Sequence, residues 1–195
     1  MTTTLIDLIR HGEPLGGRKY RGRTNDPLSE TGWQQMRAAV GTADTWQRIV
    51  SSPLERCRAF AEQLSAERKL PLEIEPRFME IGFGVWEGRT PAEIEAETPG
   101  LLDRFRRDPV ACRPDGGETL EALAARTRSG WEDLLSRHAG CQVLLVAHGA
   151  VIRSLIGHAL GLPPASLFRL EVRYASRTRL KVEPDGFATL LTHGV

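Results

Sequence analysis

Two short apolar runs, residues 4–9 and 142–147, each end in a histidine that a glycine follows. Apolar runs of this length are typical of strands that a parallel sheet covers on both faces. The segment 149–160 continues directly from the second run as a helix, so that strand and helix share one junction. This pattern constrains the chain to an α/β fold. His11 and His148 are then expected at the carboxyl ends of central strands, where open α/β sheets bind ligands.

The rest of the chain repeats the alternation of strands and helices. Further strands are predicted near 49–51, 167–173, 177–183 and 187–192, and further helices over 30–41, 53–66 and 118–138. This order predicts a three-layer sandwich, in which helices flank a mostly parallel central sheet that late strands extend with antiparallel edges. We interpret residues 1–195 as one domain. Within it, the glycine- and proline-rich residues 77–117 are expected to form a loop and helix excursion that caps the site.

Composition narrows the possible classes of function. The chain has 195 residues and a formal net charge of +1. It therefore lacks the excess of basic residues that most nucleic-acid binders have. It contains no apolar run of about 18 residues and does not begin like a signal peptide. Its three cysteines lack the spacing of a disulfide framework. We therefore expect a cytoplasmic protein with no nucleic-acid or membrane partner. Its oligomeric state stays open, a homodimer being one option.

A third strand end adds an arginine to the two histidines. The sequence SSPLERCR places Arg56 one helical turn behind the strand at 49–51. An arginine fork can bind two phosphate oxygens, and the helix that follows His148 offers N–H donors to an anion. If the three strand ends converge, Arg10, His11, Arg56 and His148 form a phosphate pocket that contains a nucleophile. Taken singly, each of these residues is more often a turn, packing or surface residue.

Other catalytic mechanisms lack their signatures in this sequence. There is no G-x-x-x-x-G-K-[ST] loop for nucleotide phosphates, and no cysteine has an arginine six positions later, as a cysteine phosphatase loop requires. Zinc-ligand spacings and a G-x-S-x-G elbow are also missing. Histidine chemistry without a metal or cofactor is the prediction that remains.

Six blocks of sequence carry a resemblance to a known family. They are RHGEP at 10–14, LSETG at 28–32, SSPLERCR at 51–58, MEIGFGVWEG at 79–88, GGETL at 116–120 and VAHGAVIR at 146–153. In this order they resemble the histidine phosphatase superfamily, in the branch of the cofactor-dependent phosphoglycerate mutases and their small phosphatase relatives. The resemblance implies a phosphoglycerate mutase-like fold and, as the partner, a small-molecule phosphate ester. It also implies that His11 is the nucleophile that becomes phosphorylated, that Arg10, Arg56 and His148 complete the phosphate clamp, and that Glu80 protonates the leaving oxygen.

The resemblance also suggests substrate contacts, and it has one departure. Arg21 and Gly22 stand where the family's loop touches phosphate, with a solvated loop as the alternative, and Gly149 is expected to bind substrate beside His148. Many relatives carry an asparagine shortly after RHG that helps bind phosphate, but residues 13–17 read EPLGG. Backbone N–H groups of this glycine-containing turn are the candidate replacement.

The favoured function is hydrolysis of a phosphomonoester through a phosphohistidine. The stretch EPLGGRKYRGRTNDPLSETGW resembles the α-ribazole phosphatase branch, which implies α-ribazole 5′-phosphate, an intermediate of cobalamin assembly, as a candidate substrate. The alternatives are a phosphoglycerate mutase-type phosphotransferase, whose relatives are usually longer and carry a lid, and a phosphate-binding module without turnover. A phosphoprotein phosphatase is also open, although such relatives tend to lack an excursion like 77–117.

Overall fold

One mixed sheet forms the centre of the computed structural model, which describes residues 2–42 and 44–195. Its strands are β1 (Thr4–Arg10), β2 (Arg48–Ser51), β3 (Leu72–Ile74), β4 (Gln142–Ala147), β5 (Arg177–Val182) and β6 (Ala188–His193), in the order β3-β2-β4-β1-β5-β6. The pairs among β3, β2, β4 and β1 are parallel, whereas β5 pairs antiparallel with both β1 and β6. The expectation of a mostly parallel sheet is therefore wrong. A short turn joins β5 to β6, and such a turn only permits antiparallel pairing.

Helices cover both faces of this sheet. They are α1 (Glu30–Ala39), α2 (Glu55–Arg68), α3 (Pro91–Glu97), α4 (Leu101–Arg107), α5 (Leu120–Arg137) and α6 (Gly149–Leu160). Successive residues of β4 alternate between faces, so that Val143 and Leu145 pack towards α5 and α6 while Leu144 and Val146 pack towards α1 and α2. The four helices predicted from the sequence are confirmed, with ends that move by at most two residues. No helix in the described ranges is long and apolar enough to cross a membrane.

Residues 77–117 form a segment with its own small apolar cluster. Besides α3 and α4 it contains short 3-10 turns, one of them at Gly84–Trp86. Trp86, Ile94 and Phe105 are buried together, and Phe168 packs against them from outside the segment. The segment is thus held by a separate core, and several of its residues line the cavity described below.

One predicted strand is absent. Residues 167–173 were expected to be extended, but Pro164–Arg169 forms a 3-10 helix and residues 170–174 follow an irregular path. Two prolines begin this turn, and arginine side chains bind the backbone carbonyls of Leu170 and Val172. These carbonyls therefore accept hydrogen bonds from arginine side chains of the site and not from a neighbouring strand.

Candidate active site

The carboxyl ends of β1, β2 and β4 meet at one cavity of about 690 Å³. Among the residues that line it are seven of the eight site residues predicted from the sequence: Arg10, His11, Arg21, Gly22, Arg56, Glu80 and Gly149. The eighth, His148, is fully buried and is not a lining residue, but its ring contacts that of His11 edge-on at a centroid distance of 5.1 Å. The three strand ends therefore converge, because they belong to adjacent parallel strands of one sheet.

His11 is oriented by its own backbone neighbour. Its Nδ1 atom lies 2.7 Å from the carbonyl oxygen of Gly12. Because a carbonyl only accepts hydrogen bonds, Nδ1 carries the proton and the lone pair of the neutral ring lies on Nε2. Burial, followed by the charges of Arg10 and Arg56, lowers the pKa of His11 well below its ordinary value. The ring is thus neutral at pH 7 and holds a nucleophilic nitrogen.

Arg10 and Arg56 approach His11 with spare donors. Arg10 donates from one terminal nitrogen to the carbonyl of Val172 at 2.7 Å, and its guanidinium carbon lies 4.2 Å above the ring centre of Tyr174. Arg56 donates to carbonyl oxygens of the loop that precedes α1, at 2.6 and 2.8 Å. In both arginines the Nε atom is buried and has no partner among the described residues. An anion in the cavity would supply the missing acceptors.

His148 lies at the junction of β4 and α6, against side chains of the neighbouring strand end. Its Nε2 atom is 2.7 Å from the hydroxyl of Ser52 and 3.5 Å from the sulfur of Cys57. Burial, with Arg56 as the next cause, lowers the pKa of His148 well below its ordinary value. The ring is therefore a neutral, packed side chain in this structure and does not itself line the cavity.

Glu80 projects into the cavity from the 77–117 segment and touches the start of α6. Its carboxylate accepts hydrogen bonds from the backbone N–H of Ile81 at 3.0 Å and of Ala150 at 3.2 Å. Behind it, Arg126 donates to the carbonyls of three residues in this stretch, including Glu80, and forms an ion pair with Glu118. Glu118 therefore holds the loop, and Thr119, not Glu118, caps α5. Glu80 is thus fixed by backbone contacts on both sides.

Arg21 and Gly22, two of the predicted substrate contacts, use polar groups for hydrogen bonds within the protein. Arg21 is buried, but its Nε donates to Asp26 and a terminal nitrogen donates to the carbonyl of Leu15. Gly22 faces the site through its carbonyl, which accepts from Arg56. A side chain at Gly22 would meet the carboxylate of Glu87, and its φ of 49° suits glycine. Backbone carbonyls of this loop therefore hold the guanidinium group of Arg56 in place.

Arg153 and Tyr174 are among the residues that line the cavity but were not predicted from the sequence as site residues. Arg153 stands four residues after Gly149, one helical turn along α6, and this spacing could have indicated that both share a face. Tyr174 lies between the predicted strands at 167–173 and 177–183, and no sequence signal marks it as a site residue. Within the described ranges, no group of three or more histidine, cysteine or acidic side chains could hold a metal ion.

Comparison with known proteins identifies the family. Residues 6–193 match the family model of the histidine phosphatase superfamily, branch 1. The chain belongs to this superfamily. Over 196 residues it is 34% identical to the bifunctional protein Rv2228c of Mycobacterium tuberculosis, covering 97% of this chain and 53% of that protein. The chain thus spans about half the length of these curated relatives. It is also 32% identical to the probable phosphoglycerate mutase GpmB of Photorhabdus laumondii, covering 90% of this chain and 83% of that protein.

Solved structures of this superfamily share the whole architecture. The mycobacterial glucosyl-3-phosphoglycerate phosphatase Rv2419c, in complex with VO3, superimposes with a TM-score of 0.89 at 31% identity and covers 98% of both chains. The α-ribazole phosphatase from Shigella flexneri superimposes with a TM-score of 0.83 at 26% identity, covering 98% of this chain and 96% of that one. Both of these neighbouring proteins are named as phosphatases.

Proposed function

We propose that this protein hydrolyses small phosphomonoesters through a phosphohistidine on His11, without a metal ion. The observation that carries the proposal is the arrangement around Nε2 of His11. Its lone pair is free because Nδ1 holds the proton. Two guanidinium groups lie beside it, and their Nε atoms have no partner within residues 2–42 and 44–195. Such groups bind a phosphoryl dianion and stabilise the charge that its transfer spreads over the equatorial oxygens.

In the first step, Nε2 of His11 attacks phosphorus while the ester P–O bond breaks. The leaving oxygen takes a proton from the carboxyl group of Glu80, and the alcohol departs. The carbonyl of Gly12 accepts a hydrogen bond from Nδ1–H, which stabilises the positive charge that the ring acquires.

In the second step, water attacks the phosphohistidine. The water gives a proton to the carboxylate of Glu80, its oxygen bonds to phosphorus, and the N–P bond breaks with its electron pair returning to Nε2. The sum is ester plus water to alcohol plus phosphate, with both residues restored. Arg10 and Arg56 hold the phosphoryl oxygens throughout. His148 supports the ring of His11 from behind, and Arg21, Gly22 and Gly149 form the wall.

The identity of the alcohol is the open part of this proposal. We retain α-ribazole 5′-phosphate as a candidate, supported by resemblance to that branch, and add glucosyl-3-phosphoglycerate on the evidence of a structural neighbour. Residues 77–117 would cap a small substrate within a single domain spanning 1–195. The three free thiols support a cytoplasmic location. The named mutase relatives keep phosphotransferase activity as the second candidate.

The test is phosphate release in the presence of EDTA from a panel that includes these esters, phosphoglycerates and sugar phosphates. Turnover is expected in the wild type and in His158→Ala, whose exposed histidine lies far along α6, and it should vanish in His11→Ala. Conversion of 3-phosphoglycerate to 2-phosphoglycerate without phosphate release would favour the mutase. If phosphate binds but no ester is turned over, the result would favour a phosphate-binding module without catalytic activity.

A further inference from the structure

Tyr174 lies against two groups on which the proposed chemistry depends. Its ring lines the cavity, and the ring centre is 4.2 Å from the guanidinium carbon of Arg10 and 5.7 Å from the ring centre of His11. The first distance is well inside the range of about 6 Å in which an aromatic face attracts a cation. One side chain therefore adjoins both the nucleophile and an arginine of the phosphate clamp.

Arg10 has few other contacts that fix the plane of its guanidinium group. One terminal nitrogen donates to the carbonyl of Val172 at 2.7 Å, and the buried Nε has no partner within the described part of the chain. A single hydrogen bond leaves several orientations of a planar group open. The guanidinium lies over the ring of Tyr174, which restricts its rotation and so fixes the direction in which the remaining nitrogens donate.

The backbone that carries Tyr174 is strained and is attached to the end of β1. Ala175, the next residue, has a φ of 55°, a left-handed conformation that residues with a side chain seldom adopt. Its N–H donates to the carbonyl of His11 at 3.3 Å, and the N–H of Arg10 donates to the carbonyl of Ser176 at 3.2 Å. Strain of this kind persists only where surrounding contacts determine the conformation, and it clusters at functional sites. These two hydrogen bonds hold Tyr174 beside Arg10 and His11.

Packing in the core does not account for the position of Tyr174. Its ring is half-buried and belongs to none of the apolar clusters of the described residues, whereas Tyr20, the other tyrosine, packs with Trp86 and Phe83. An aromatic face suits Arg10 for a chemical reason, because its quadrupole stabilises a cation without occupying the N–H donors at the edge of the guanidinium. A carboxylate in the same place would accept hydrogen bonds from these donors and neutralise the charge.

We propose that Tyr174 is a positioning residue of the phosphate clamp, whose ring holds the guanidinium group of Arg10 in the orientation that binds a phosphoryl group. The inference rests on the proposed function and adds a residue to it. Arg10 is stabilised in a half-buried place by the ring and keeps both its charge and its donors for an anion. Loss of the ring should therefore weaken phosphate binding, whereas loss of the tyrosine hydroxyl should not.

The first arm of the test measures the affinity for inorganic phosphate by calorimetry, which does not depend on turnover. Tyr174→Leu removes the aromatic face and should lower the affinity about 3- to 30-fold, which corresponds to the loss of a cation–π contact. Tyr174→Phe keeps the face and should stay within about twofold of the wild type. Phe187→Leu, a loss of an exposed ring between β5 and β6, is the matched control and should have no effect. Circular dichroism checks that each variant is folded, and Tyr174→Met replaces Tyr174→Leu if that variant is not.

The second arm observes Arg10 itself in the absence of phosphate. NMR of nitrogen-15-labelled arginine side chains reports rotation of each guanidinium group, and the signal of Arg10 is the one that Arg10→Lys removes. Rotation should be faster in Tyr174→Leu than in the wild type and unchanged in Tyr174→Phe. An unchanged rotation or an unchanged phosphate affinity in Tyr174→Leu would overturn the proposal. An equal loss of affinity in Tyr174→Phe and Tyr174→Leu would also overturn it, since that result would assign the effect to the hydroxyl group.

Phosphate release from phosphomonoesters by the same variants separates the two proposals. If phosphate affinity and rotation change as expected but neither the wild type nor any variant hydrolyses an ester, the hydrolase assignment fails and the role of Tyr174 in the clamp stands. If the wild type and Tyr174→Leu hydrolyse esters with equal kcat/KM, the positioning role fails and the hydrolase assignment stands.

Discussion

Two groups of arginines lie near strand β1, and they differ in whether a carboxylate neutralises their charge. In mid-strand, the buried carboxylate of Asp7 accepts two hydrogen bonds from Arg179 and lies 3.5 Å from Arg177. At the end of the strand, Arg10 and Arg56 contact backbone carbonyls, and no carboxylate lies within 4 Å of them among the described residues. The carboxylate of Asp7 neutralises positive charge in the first group, whereas the positive charge of the second group is available to a bound anion.

This difference separates a structural cluster from a binding site. A buried charge that loses its solvent needs a partner, and carbonyl dipoles replace water only in part. At Asp7 the indole N–H of Trp46 completes the carboxylate's contacts at 2.6 Å. At the strand end, the Nε atoms of both arginines have no partner among the residues that the structure describes. The fold therefore carries an electrostatic cost there that a bound phosphoryl group would offset.

The largest expected effect comes from exchanging one arginine in each group for methionine. Arg56→Met should lower kcat/KM by about 10²–10³, by analogy with the loss of one donor to a transition-state oxyanion. Arg179→Met should leave kcat/KM within about twofold, because its charge serves Asp7, and should lower stability by about 1–3 kcal/mol. Steady-state kinetics and urea unfolding of both variants test this. Similar kinetic losses in the two variants would remove the distinction between the groups.

Inorganic phosphate should stabilise the protein through the strand-end group alone. At 100 times its Kd, a ligand that binds only the native state adds about 2.7 kcal/mol of stability, which raises Tm by about 5–10 °C for a chain of this size. Calorimetric scans in increasing phosphate should show this rise in the wild type and in Arg179→Met but not in Arg56→Met. An equal rise in all three proteins would mean that phosphate acts elsewhere.

The smallest expected effect concerns pH. The pKa of His11 is lowered in the native state, so below about 6.5 the unfolded chain binds a proton that native His11 does not. Stability should therefore fall as pH decreases below 6.5, by up to about 1.4 kcal/mol per pH unit for this histidine, with no penalty above it. Urea unfolding in phosphate-free buffer should show a shallower decline between pH 6 and 5 in His11→Ala. An unchanged slope would show that His11 is not a buried neutral side chain.

The sequence predicted the strand-end group better than the cavity around it. His11, Arg10 and Arg56 follow strands whose apolar runs are visible in the sequence, and the parallel pairing of these strands brings their ends together. For Arg153 the only signal is its helical spacing from Gly149, and Tyr174 has none. The position of Tyr174 depends on the path of residues 170–174, where arginine side chains bind the carbonyls of Leu170 and Val172.

The balance of parallel and antiparallel strand pairs and the burial of His148 likewise depend on tertiary contacts. Strands β5 and β6 were visible as extended segments, but the balance of parallel and antiparallel pairs depends on where they join the sheet. His148 was placed at its strand end from the sequence. Its burial against Ser52 and Cys57 depends on side-chain packing between neighbouring strand ends, which spacing along the chain does not encode.

The stereochemical course at phosphorus distinguishes a phosphohistidine intermediate from direct attack by water. Hydrolysis of a thiophosphate monoester made chiral with oxygen isotopes, in isotopically labelled water, shows whether the reaction has one displacement or two. Transfer to His11 and then to water consists of two in-line displacements, each of which inverts the configuration, so we expect net retention. Net inversion would mean that water attacks the ester directly, and it would contradict a phosphohistidine intermediate on His11.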